Sequence, residues 1–192
     1  YGMSATIQRG DRQDKKMLMQ LGPIRHRYTA KERAQKQGIG HYVYPRFTKL
    51  VDLNPSEGKN PSDYYRLIMQ SELRNMQVVS DTIDCVKRGR TPVIMTKYKE
   101  HAQKLYDMLQ GSADHVFLLQ GGKSLKERSA IREQMAAVRA DESIILVAIG
   151  QYVGEGFNYP RLDTMLLAMP ISLEGNVEQH AGRLNRDYEG KK

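Results

Sequence analysis

The chain has 192 residues, with 30 Lys and Arg against 22 Asp and Glu and a formal net charge of +8. A 40% hydrophobic and 27% charged make-up excludes wholesale disorder, and the length suits one α/β domain, or one domain with a fragment of another. No apolar run approaches the roughly 20 residues of a membrane-spanning helix, and the N-terminal YGMSATIQRG lacks the layout of a secretory signal.

Cys85 is the single cysteine, which excludes an internal disulfide framework and a cysteine-cluster zinc site; a cytoplasmic, reducing setting is expected. The positive charge is concentrated. Residues 1–37 hold nine Lys/Arg and three Asp/Glu, residues 38–90 hold eight and six, and residues 91–192 hold thirteen of each. The basic excess therefore belongs to the N-terminal stretch, either a solvated basic face or a phosphate-tracking segment.

In chain order, Gly2 to Tyr28 reads as a strand end, a loop and a short helix. HYVYPRFTKLVDL (His41–Leu53) is β-branched and aromatic with an internal proline, so an extended segment or an edge strand. A turn cluster at 54–58 precedes Pro61-Ser62-Asp63, a helix start. Apolar residues then recur at three- and four-residue steps from Tyr65 to Val86, predicting one long helix or two in tandem, stopped at Gly89. Strands are predicted at Pro92–Thr96, His115–Leu119, Ser143–Ile149 and Asp163–Met169. Helices are predicted at Lys99–Leu109, Ser124–Arg139 and Gly175–Leu184. Strands alternating with helices give βαβ crossovers and a parallel sheet covered on both faces, a RecA-like α/β fold.

In such a sheet, ligands gather at the carboxyl ends of the strands. The loops there carry Thr96-Lys97-Tyr98-Lys99, then the glycine-rich 150–158, and finally QHAGRLNR (Gln179–Arg186). Gln179, Gly182, Arg183 and Arg186 stand at i, i+3, i+4 and i+7, one face of a helix, where two guanidinium groups could meet one polyphosphate. The competing reading is a surface helix whose arginines pair with Glu178 and Asp187. Gly121-Gly122-Lys123-Ser124 imitates the end of a phosphate loop, but Phe117 stands where its first glycine belongs, so it reads as a loop and helix cap. His101, His115 and His180 lack metal-ligand spacing. Met165 and Met169 read as core, Cys85 as a small residue without redox role, and Tyr64, Tyr65 and Tyr98 as packing residues.

Together these segments resemble the superfamily-2 helicases: the second RecA-like domain, preceded by the tail of the first. Ser4-Ala5-Thr6 is similar to the SAT motif, Thr91–Leu105 to motif IV, Ile145–Ser172 to motif V and its following strand, and Gln179–Arg186 to the Q-x-x-G-R-x-x-R of motif VI. The longer form is similar to restriction- and phage-type translocases.

The resemblance implies that residues 1–40 are the tail of the first domain and a linker, and 41–192 the second domain. Arg183 and Arg186 would be catalytic, facing the γ-phosphate of ATP, with Arg186 as the finger. Gln179, Gly154, Gly156 and Asn158 would serve ATP binding; Thr96, Lys97, Gly150 and Gln151 would lie along the nucleic acid; Ser4 and Thr6 would couple hydrolysis to movement. The implied cofactors are ATP and Mg²⁺ in the intact enzyme. The implied partners are nucleic acid, with DNA favoured over RNA, and the first RecA-like domain. Ile149 replaces the usual motif V threonine, Asn158 replaces an aspartate, and Asn185 stands where motif VI usually has His or Gly. No phosphate loop occurs, and no D-E-x-x box precedes Ser4, so this stretch alone is expected not to hydrolyse ATP, and the fold is expected to continue past Lys192. The alternative is a non-catalytic RecA-like module that binds nucleic acid or a partner protein; a simple basic binder driven by residues 9–36 is a third reading.

Overall fold

Four apolar runs become strands: β1 (Pro92–Thr96), β2 (His115–Leu119), β3 (Ile144–Ile149) and β4 (Thr164–Leu167). The computed structural model describes residues 14–26, 32, 40, 42–49, 60–121, 125–149, 158–170, 182, 184 and 188. The strands pair in the order β2-β3-β1-β4, every pair parallel. β1 and β3 are buried at every position, as strands covered on both faces must be. The α/β class and the parallel sheet expected from the alternating pattern are both present.

The helices are α1 (Asp14–Leu21), α2 (Pro61–Gln70), α3 (Glu72–Lys87), α4 (Lys99–Met108) and α5 (Leu125–Ala137). Alternate strand residues face opposite layers. Val93, Met95, Leu146 and Ala148 pack with Met135 of α5 on one face. Ile94, Ile145, Val147 and Ile149 pack with Ala102 and Leu105 of α4 on the other, where Val79 and Ile83 of α3 join them. Met169 is buried and Met165 packs against the first layer, so both are core residues. Gly89 takes φ +70° just past α3, the left-handed stop that the glycine there predicted.

The apolar period from Tyr65 to Val86 resolves into two tandem helices. Pro61 begins α2, and Asp63 accepts a hydrogen bond from the Asn60 N–H. Ser71, with φ −67° and ψ 103°, separates α2 from α3. Residues 42–49 belong to no strand. They run antiparallel to α3 instead, Arg46 forking onto Asp81 (2.8 and 2.8 Å) and Arg74 donating to the Thr48 hydroxyl (2.9 Å).

Candidate functional site

Parallel pairing brings the carboxyl ends of three strands to one edge: Thr96 sits opposite Ile149, and Met95 opposite Leu167. Thr96 lies on the Ile94 face of β1 and points into the helix layer, 5% exposed. Its hydroxyl is 2.8 Å from His101 Nδ1; His101 Nε2 is 2.9 Å from Asn75 Oδ1; and Asn75 Nδ2 donates to the Met69 carbonyl at 2.8 Å. His101 and Asn75 are 2% and 0% exposed.

The Met69 carbonyl can only accept, which fixes the Asn75 amide. Asn75 Oδ1 then takes the His101 Nε2–H, leaving Nδ1 to accept from the threonine hydroxyl. The ring is neutral. Burial, and after it the charges of Arg74 and Lys104, push the His101 pKa down to about 4. A continuous polar chain thus runs from the end of β1, through α4 and α3, to the last turn of α2.

Lys97, one residue on, is exposed. Its ammonium lies 4.4 Å from the Tyr65 ring centroid and 5.8 Å from that of Tyr98. The two rings are 6.1 Å apart and tilted by 57°. No acidic side chain among the described residues pairs with Lys97. Nearby, Arg74 reaches the Ala168 carbonyl just past β4 (3.3 Å) and the Thr48 hydroxyl, neither of which neutralises its charge. Among the described residues, Lys97 is therefore a cation without an acidic partner at the carboxyl edge of the sheet.

Of the residues singled out in the sequence, Thr96, Lys97 and Asn158 fall within the described residues. The Thr96 hydroxyl is turned inward, so what it offers the surface is the position of Lys97. Asn158 is exposed beside the Tyr159–Leu162 turn. Ser4, Thr6, Gly150, Gln151, Gly154, Gly156, Gln179, Arg183 and Arg186 lie outside the described residues. Gly182 and Leu184 are helical. Leu184 packs against the layer containing Met135, whereas a Cβ added at Gly182 would meet no atom within 4 Å. Packing among the described residues does not require that glycine.

His101, whose spacing excludes a metal-ligand role, is the centre of the buried chain, and neither Asn75 nor Arg74 stands in any recognised motif. A polar residue inside an apolar helical period was the available signal at Asn75. Burial pushes the Cys85 thiol up, away from thiolate. Among the described residues no three His, Cys, Asp or Glu side chains converge on a possible metal position, and no helix is long and apolar enough to cross a membrane.

No family model matches the chain. It is 27% identical over 154 residues, 76% of its length, to transcript termination protein A18 of fowlpox virus. Over 134 residues, 67% of its length, it is 25% identical to the A18 protein of myxoma virus. The chain spans about a third of these relatives (32% and 27%). Among solved structures it is similar to T4 UvsW, with a TM-score of 0.54 and 20% identity over 67% of this chain and 25% of that one. The chain is a RecA-like α/β domain, and its fold is shared with T4 UvsW.

Proposed function

We propose that this chain is the second motor domain of an ATP-dependent nucleic-acid helicase or translocase, with residues 1–40 as linker and first-domain tail and 41–192 as the motor domain. The observation that carries the reading is the meeting of β1, β3 and β4 at one edge, next to Lys97, which pairs with no acidic side chain among the described residues. The sequence segments similar to motifs IV and V run through these strands and across their carboxyl ends. The poxvirus relatives, named for transcript termination, support a nucleic-acid process.

ATP supplies the transferable γ-phosphoryl group and Mg²⁺ the countercharge, both held mainly by a first RecA-like domain. Arg183 and Arg186 reach the γ-phosphate across the interdomain cleft, with Arg186 as the finger; Gln179 orients that edge. Gly154 and Gly156 allow the tight motif V turn, with Asn158 near the ribose. The open space over Gly182 supports close approach of another surface to this helix face.

Lys97, Gly150 and Gln151 track the sugar–phosphate backbone, DNA in preference to RNA, while Thr96 holds Lys97 in place. Ser4 and Thr6 couple hydrolysis to domain movement, so that closure and reopening step the pair along one strand. The test is Arg186→Ala in a polypeptide uniting this domain with the ATP-holding one. Nucleic-acid-stimulated ATPase should fall roughly 10³-fold or more. A rate within about twofold of the parent would remove the finger assignment.

A further inference from the structure

We propose that α2 contributes to the nucleic-acid track, with Tyr65 and Tyr98 forming a stacking platform for one unpaired base and Lys97 engaging the adjoining phosphate. The inference rests on the nucleic-acid reading above and adds to it a helix that none of the recognised sequence motifs includes. Tyr65 and Tyr98 come from separate segments and meet at 6.1 Å, both half-buried, with an exposed ammonium over them. An aromatic surface beside a cation that no acidic side chain among the described residues pairs with suits single-strand binding. Stacking accepts any base, and the cation meets the backbone.

The placement of α2 itself is telling. No side chain of this helix is fully buried, so burial in the core does not explain its position. The helix is held at its last turn by Asn75 on the Met69 carbonyl, and through His101 by Thr96. Thr96 is the residue before Lys97. One buried hydrogen-bonded chain therefore sets both halves of the platform, the tyrosine of α2 and the lysine beyond β1. A tyrosine used only for packing would not call for an exposed lysine above its ring.

The experiment is fluorescence anisotropy of the 192-residue chain with labelled 15-nucleotide oligo(dT), oligo(rU) and an abasic strand of equal charge. Tyr65→Ala and Tyr65→Leu should each weaken binding to a base-carrying strand roughly tenfold, the leucine variant keeping the apolar packing. Tyr65→Phe, and Tyr64→Ala on the same helix, should stay within about twofold of the parent on that strand, because stacking uses the ring and only at residue 65. On the abasic strand none of these variants should change affinity, a result that a folding defect cannot imitate. Losing affinity on one of oligo(dT) and oligo(rU), with no binding of the other, supports the platform and identifies the strand type. Tyr65→Leu binding oligo(dT) and oligo(rU) like the parent, or losing equally on the abasic strand, overturns the platform alone. If the parent binds none of the three strands, the nucleic-acid reading itself falls.

Discussion

The two ends of the sheet are built on opposite rules. At the amino ends of the strands, polar groups answer one another. The Asp114 carboxylate accepts from the Ser143 N–H and hydroxyl, which holds its pKa below the usual range. Asp163 accepts from the Thr91 N–H, His115 lies 3.3 Å from Glu142, and Arg139 forks onto Asp141. Arg161 donates to the carbonyls of Arg139, Ala140 and Glu142 that follow α5. At the carboxyl ends a hydrogen-bonded chain runs inside from Thr96 to Met69, but Arg74 Nε and Gln120 Oε1 are buried without a hydrogen-bond partner among the described residues, and the surface above carries Lys97, with which no described acidic side chain pairs. A self-satisfied end is a closed structural cap; an end with a rigid interior and unanswered positive charge is prepared for something brought from outside.

If the interior chain supports that open end, cutting it should be costly. Asn75→Ala strands a buried carbonyl and a buried imidazole N–H, and should cost on the order of 3 kcal/mol in urea unfolding. A cost below about 0.5 kcal/mol would mean the chain carries no weight.

A comparable effect is expected from pH. His101 titrates near 6.5 in the unfolded chain and at about 4 in the folded one. Between those values the unfolded state binds a proton that the folded state refuses. Stability is thus full above pH 6.5 and falls as the pH drops toward 4, by on the order of 3 kcal/mol at about 1.4 kcal/mol per unit. The loss should shrink sharply in His101→Gln; equal pH dependence in both proteins would contradict the assignment.

A smaller effect should carry opposite signs in two assays. Gly182→Ala removes helix-interior backbone freedom where the added methyl meets nothing, so the chain should gain roughly 0.5–1 kcal/mol of stability. In a polypeptide with the ATP-holding domain the same methyl should lower the stimulated ATPase. Unchanged ATPase would mean that the open face receives no partner.

Much of the fold was legible in the sequence because strand and helix periods differ. PVIMT and HVFLL gave β1 and β2 with their bounds intact, and Gly89 marked the end of α3. The break at Ser71 was not legible. No glycine or proline signals it, and the apolar period continues across it; the gap matters because it frees the Met69 carbonyl for Asn75. The contacts among Thr96, His101 and Asn75 join three segments, and no local spacing encodes such a meeting. His41–Leu53 looked as much like an edge strand as an extended segment. The described part, 42–49, belongs to no strand and lies on α3, where Arg46 and Thr48 find partners that no sheet edge provides. For the site, sequence reasoning reaches the edge where Lys97 sits, but no local spacing encodes the meeting of Tyr65 and Tyr98, which come from separate segments.

The central claim is that the carboxyl end of the sheet meets nucleic acid and the amino end does not, and removing one positive charge from each end tests it. Lys97→Ala and Arg139→Ala change the net charge equally, but Arg139 is already answered by Asp141. Affinity for a single-stranded oligonucleotide should be measured across a salt series. Lys97→Ala should weaken binding and reduce the log–log salt slope by about 0.7, the loss of one phosphate contact to a single strand, while Arg139→Ala leaves both unchanged. Equal losses from the two substitutions, or a loss only with Arg139→Ala, would contradict the account.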